Sequence, residues 1–219
     1  MFKFPKVEHH KVELVVAHHK ENLAWLKKIQ HHKTIYHKGN LGIKDAINLP
    51  NIGRESHTYL RHIVDRYKCL ADITLFCQGN PFDHCPNILN LVKFDSIEEI
   101  NKAQNRPPNP HFAPLSKILW PESVQTLEKN PWDSIWRLPF IPTIFDLYFP
   151  QHIHPTNFLC IWGAMFAISK EQIHQFSRDT YRELLHLHEQ NWSLPWAMEI
   201  IWLHLFHPDH QPERTIPII

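Results

Sequence analysis

Short apolar runs alternate with amphipathic stretches through the first third of the chain. Val12-Glu-Leu-Val-Val-Ala17 is brief, continuous and β-branched, the pattern of a buried strand. Glu21 to Gln30 follows with Leu23, Leu26 and Ile29 at three-residue steps, which predicts a helix. Lys33 to Tyr36 predicts a second strand ended by His37-Lys-Gly-Asn40, and Leu41 to Pro50 a loop. A helix from about Glu55 to Tyr67, opened by Asn51 or Gly53, turns Leu60, Ile63 and Val64 inward. Ile73 to Cys77 is the third strand, and it runs into the polar loop Gln78-Gly-Asn-Pro-Phe-Asp-His84. Strand, helix, strand, helix, strand at this spacing predicts parallel βαβ units: a single-domain α/β fold with a mostly parallel sheet flanked by helices.

The later pattern is less regular. Ile88 to Leu91 reads as helical, and Ser96 to Asn101 as a short helix with Ser96 and Glu99 as its capping box. Asn105 to Pro114 is too rich in Pro and Asn for regular structure. From there to about Pro155 the chain carries Trp120, Trp132, Trp136, Phe140, Phe145, Tyr148 and Phe149, read as core packing ahead of a binding groove. Phe158 to Ile168 is apolar and split by Gly163, which predicts a turn and then a strand feeding a helix capped by Ser169 and Gln172. Ser177 caps another helix through His188, and Pro195 opens a last one through Phe206. The expected domain core is about 12–206, one domain without repeats.

Composition narrows the function classes. A formal charge of +1 gives no global field for nucleic acid or an anionic membrane. Four cysteines without a CxxC pair suit a reducing compartment, so a cytoplasmic location is expected. Neither a secretory leader nor a transmembrane segment is expected: the first ten residues lack an apolar core, and no run of about 18 apolar residues exists. Nineteen histidines are scattered or sit as sequence neighbours, without zinc spacing, so bias in composition accounts for them better than a metal site. The P-loop, GxGxxG, GxSxG and HExxH patterns are absent.

The candidate chemistry lies where strands end, because ligands of open α/β sheets bind there. With only five glycines in the chain, Gly39, Gly53, Gly79 and Gly163 mark places where backbone turns sharply or approaches a ligand. Glu21 follows the first strand and either contacts a ligand or supports the next helix. His37 and Lys38 end the second strand, as base-recognition residues or as solvated loop. Arg54 and Glu55 stand in a helix's first turn, where N–H groups and a guanidinium meet anions; the plainer alternative is a solvated Arg beside a dipole-favoured Glu. Asn80, Asp83 and His84 form either a divalent-cation site or a Pro-fixed turn. Glu199, in the otherwise strongly apolar Pro195–Phe206 helix, is the sharpest candidate, read as functional ahead of an exposed residue on the helix's outer face. Burial would raise its pKa toward that of a useful base.

Several stretches together resemble nucleotide-sugar-dependent glycosyltransferases of the GT-A type: Asn51-Ile-Gly53, Leu75-Phe-Cys-Gln-Gly-Asn80, Gly163-Ala-Met-Phe-Ala-Ile-Ser-Lys170 and Trp196-Ala-Met-Glu199. More closely, the chain looks like an uncharacterised microbial and fungal family with an NxGRE–TYL helix, a QG[ND]P-type loop, an FA[IV]S[KR] turn and a final E-x-x-W helix. The resemblance implies a GT-A-like (Rossmann-like) fold and a UDP- or GDP-linked sugar donor held near Glu21, His37, Lys38, Asn51, Gly53, Arg54, Gln78, Gly79, Asn80 and Gly163. It implies Mn²⁺ or Mg²⁺ at Asn80, Asp83 and His84, although Asn80 stands where the family pattern has an acid. The acceptor would be a glycan or a lipid-linked saccharide in surface-polysaccharide synthesis, with peripheral membrane association left open, and Glu199 would deprotonate it for direct displacement. The rival readings are a glycosidase-like hydrolase using Asp83 and Glu199, and a non-catalytic carbohydrate-binding module using the aromatic middle section.

Overall fold

The computed structural model describes residues 9–39, 42–123, 129, 139–148 and 157–206. Its strands are β1 (Val12–His18), β2 (His32–His37), β3 (Ile47–Asn48), β4 (Ile73–Gln78), β5 (Phe112–Pro114), β6 (Ile118–Ser123), β7 (Asn157–Ile161) and β8 (Phe166–Ser169). Its α-helices are α1 (Arg54–Arg66), α2 (Ile88–Leu91), α3 (Ile97–Ala103), α4 (Phe140–Tyr148), α5 (Lys170–Ile173), α6 (Arg178–Gln190) and α7 (Leu194–Phe206). Six strands form one sheet in the order β3-β2-β1-β4-β8-β5, and β6 pairs with β7 in a separate antiparallel ribbon. The pairs β2–β3, β1–β2 and β1–β4 are parallel; β8 runs antiparallel to both β4 and β5. This is a Rossmann-like α/β fold with a mostly parallel, mixed sheet.

Both sheet faces are covered, which explains why the central strands read as continuous apolar runs. Alternate residues serve opposite cores. Val15, Tyr36, Phe76, Phe112 and Phe166 pack with apolar residues of α1, α4, α6 and α7. Leu14, Val16, Leu75, Cys77 and Met165 pack instead with Trp25, Leu26, α2 and α3. The first core is aromatic: Tyr59 of α1 lies on Phe76 with ring centroids 4.6 Å apart, and Trp202 of α7 stacks on Phe206 at 5.6 Å and 11°. Phe145 is buried in this core, in keeping with core packing for that part of the aromatic stretch. The side chains of Trp120, Trp132, Trp136, Tyr148 and Phe149, like His207 and His210, lie outside the described residues.

The capping residues act as their spacing predicts. Ser96, Ser169 and Ser177 accept hydrogen bonds from the backbone N–H of Glu99, Gln172 and Thr180. Three expectations are corrected. The helix expected over Glu21–Gln30 is only a 3₁₀ segment, Ala24–Lys28: Asn22 Oδ1 takes the Ala24 N–H, and Ile29 is already extended. The expected loop Leu41–Pro50 contains β3, a two-residue edge strand on β2. The Pro/Asn-rich stretch ends in β5, which is tolerable because β5 is an edge strand whose Pro114 needs no second ladder partner.

No helix among the described residues is long and apolar enough to cross a membrane. Neighbouring β1 and β4 send the chain in opposite directions: β1 leads outward to β2 and β3, and α1 carries it back to β4. The carboxyl ends of β1 and β4 therefore flank a topological switch point, the place where such sheets open a crevice.

Candidate functional site

A cleft of about 450 Å³ opens at this switch point, lined by Glu21, Asn22, Ala24, Trp25, Asn80 and Phe82. One wall is aromatic. Trp25 Nε1 donates to the Gly79 carbonyl at 2.9 Å, and the Trp25 and Phe82 rings meet edge to face at 6.0 Å. Glu21 is fixed from the backbone, its Oε2 accepting the His19 and Lys20 N–H groups at 2.7 and 3.0 Å. Burial alone would raise its carboxyl, but these bonds outweigh burial and hold the pKa below the ordinary value. A Cβ on Gly79 would fall 2.6 Å from Glu21 Oε2, so the carboxylate can lie against this backbone only because residue 79 is glycine. Sequence reasoning found Glu21, Gly79 and Asn80 but missed Trp25 and Phe82, because Trp25 was absorbed into a helix that is not there.

Beside the cleft, the ends of β1 and β2 hold a buried polar ladder. His18 Nε2 donates to the Glu21 carbonyl at 3.0 Å, and His18 Nδ1 lies 2.9 Å from His37 Nδ1. His37 and Lys38 are thus buried bracing groups, not solvated loop. Lys38 Nζ donates to the carbonyls of Ile52 (2.6 Å) and Arg54, tying the end of β2 to the start of α1. Desolvation pushes its pKa down to about 8 against the opposing pull of Glu55.

At the start of α1, Gly53 and Arg54 both take left-handed backbone, with φ of 61° and 46°. Asn51 is exposed just before them. Arg54 lies over the Trp196 ring at 5.3 Å, with its Nε 3.6 Å from Glu55 Oε2. Glu55 is buried, its Oε1 without a hydrogen-bond partner, and desolvation raises its pKa. Sequence reasoning gave Glu55 no burial, only a place at an anion-binding or dipole-favoured helix start. Its burial follows from α1 being wedged against α6, where His188 Nε2 meets Ser56 Oγ at 3.0 Å and His57 lies 3.9 Å from Glu189. Glu199 of α7 is half-buried and close enough to Tyr59 that, after burial itself and with Glu55 and Cys77, it pushes the phenol's pKa up. Glu199 does not line the cleft; α7 belongs to the layer on the opposite sheet face from Trp25 and Phe82.

The loop after β4 forms a third group. Asn80 Nδ2 donates to Asp83 Oδ2 at 2.9 Å, and the N–H groups of His84 and Cys85 bond to the Pro81 carbonyl. His84 packs on Trp162 at 5.2 Å and fills the space beside Gly163, whose φ of 74° kinks the Trp162–Ala164 turn ahead of β8. The geometry favours the turn. Among the described residues no group of three or more His, Cys, Asp or Glu side chains converges for a metal. A divalent cation at Asp83 would use Oδ1, the oxygen not bonded to Asn80, and take its other ligands from a diphosphate. Gln78, the last residue of β4, is half-buried at the crevice.

Buried neutral histidines give this region a pH dependence. Burial lowers His57 to about 3 and both His62 and His188 to about 4, so between there and the unfolded value near 6.5 the unfolded chain binds more protons. Their contribution to stability is whole above about pH 6.5 and drains away as the pH falls toward about 4. The melting temperature is expected to drop steadily across that window; a flat profile would show these histidines protonating freely in the folded state.

The chain belongs to a family described as protein of unknown function (DUF3431), whose model matches residues 14–215. No curated protein and no solved structure matches it.

Proposed function

We propose that this member of the DUF3431 family is a nucleotide-sugar-dependent glycosyltransferase, moving a sugar to a glycan or lipid-linked acceptor in surface-polysaccharide synthesis, in the cytoplasm or at its membrane face. The observation that carries the reading is the switch-point cleft, with its aromatic wall and a carboxylate locked against Gly79. Trp25 and Phe82 suit a flat base, while Glu21, Asn22 and Asn80 offer groups for base edges and ribose hydroxyls. The N-terminus of α1, a 13-residue helix following the carboxyl ends of β2 and β3, supplies positive potential for a diphosphate.

In the reaction an acceptor hydroxyl attacks the anomeric carbon. Its proton passes to a carboxylate, Glu199 if the acceptor bridges from α7 to the donor, since Glu199 lies outside the cleft lining; the bond from that carbon to the diphosphate oxygen breaks, releasing the nucleoside diphosphate. Mn²⁺ or Mg²⁺ at Asp83 would add charge for the leaving group, but no step depends on it here.

Calorimetric titration with UDP, GDP, ADP and CDP, with and without Mn²⁺, tests the reading. One nucleotide should bind, and Glu21→Ala and Trp25→Ala should each weaken it at least tenfold. Failure of all four to bind, with Mn²⁺ present, would overturn the proposal; an Mn²⁺ gain lost in Asp83→Ala would restore the cation.

A further inference from the structure

The corner where α1 starts and α6 turns into α7 is not part of the cleft, yet it is built from groups that a folded interior does not require. Trp192 is 58% exposed and meets Trp196 edge to face at 5.5 Å. Arg54 covers the other indole at 5.3 Å and is itself half in solvent. Behind it, Glu55 is nine-tenths buried and its Oε1 lacks a donor. Glu55 Oε2, 3.6 Å from Arg54 Nε, holds the guanidinium in place from behind. Glu199, one helical turn beyond Trp196, sits on the same side of α7.

We propose that Trp192, Trp196, Arg54 and Glu55 form a subsite for a pyranose ring, the acceptor saccharide of the transfer reaction. Two properties select this ligand over others. Sugars have an apolar C–H face that lies on an indole and a rim of hydroxyls that bonds to guanidinium and carboxylate. A protein partner or a lipid would instead want a continuous apolar patch, whereas here the indoles alternate with Arg54, Glu189 and Asn191. The strained Arg54 backbone aims the guanidinium at the ring, and Lys38 braces that backbone through the Arg54 carbonyl. The inference rests on the transfer reading for the role of the sugar, but not for its binding.

Saturation-transfer NMR on the full chain, with methyl glucoside, galactoside and mannoside and the matching disaccharides, tests it. At least one sugar should receive saturation on its C–H face. The signal should fall at least fivefold in Trp192→Ala and in Arg54→Ala, and persist in Trp162→Ala, which removes an exposed indole elsewhere. Trp192→Ala should leave nucleoside diphosphate affinity unchanged. No transfer to any sugar while a nucleotide still binds would overturn the subsite and leave the donor reading intact. Equal transfer in Trp192→Ala would overturn it too, as would loss only in Trp162→Ala. Sugar binding lost in Trp192→Ala without binding of any nucleotide would support the subsite and sink the transfer reading.

Discussion

Glu199→Gln is expected to keep nucleoside diphosphate affinity while cutting turnover about a hundredfold or more, the usual scale for a general base. The substitution is nearly isosteric, so the α7 packing around Trp202 and Leu203 survives and the change isolates the carboxylate. Glu199 stands half-buried beside Tyr59, one turn from Trp196. That location suits a base serving an acceptor held at the Trp192–Trp196 corner more than one reaching into the Trp25–Phe82 cleft. Released nucleoside diphosphate, measured with saturating donor, is the readout. Near-normal turnover would make Glu199 structural. The parallel variant Glu55→Gln separates the two carboxylates: Glu55 is buried behind Arg54 and holds its guanidinium, so its loss should raise the acceptor KM more than it lowers kcat.

How much of this was legible in the chain depends on what hides burial. β1, β2, β4, α1, α6 and α7 all follow from apolar period and capping residues, because tertiary packing there agrees with local pattern. β3 and β5 did not, since two- and three-residue edge strands carry no periodic signal and Pro114 points away from strand. The Ala24–Lys28 segment failed for a different reason: its three-residue apolar repeat fits a 3₁₀ turn as well as an α-helix, and Asn22 and Glu21 spend their side chains on local backbone. In α1 the six residues Glu55 to Leu60 are all buried, yet four are polar or charged, so hydropathy gave no hint that Glu55 and His57 face the interior. Such a polar, buried helix start is a local rule broken, and broken rules cluster at functional sites. His37 and Lys38 misread for the same reason: charge suggested solvent, while the bonds to His18 and to the Ile52 carbonyl are tertiary.

Gly53→Ala is expected to destabilise the fold by about 2–4 kcal/mol, lowering the melting temperature by roughly 5–15 °C for a chain of this size. Two costs add. At φ of 61° an L side chain sits in the left-handed region, and the new Cβ would lie 2.5 Å from the Cβ of His57, which is anchored to α1 and cannot swing away. Nor is there room to move outward, because the His188 Cβ of α6 closes the other side at 3.6 Å. Relief requires shifting the start of α1, and that would drag the Gly53 carbonyl from Ser56 Oγ and His57 N, and Arg54 from the Lys38 ammonium. Gly42→Ala is the matched control, since nothing lies within 4 Å of a Cβ placed there, and it should leave the melting temperature unchanged or raise it by up to about 4 °C. The two variants carry the same added methyl and the same loss of unfolded-chain entropy, so their difference reports the backbone strain and the clash at residue 53 together. Equal melting temperatures would mean that α1 begins differently, and with it would go the placement of Arg54 and Glu55 on which the sugar subsite is built.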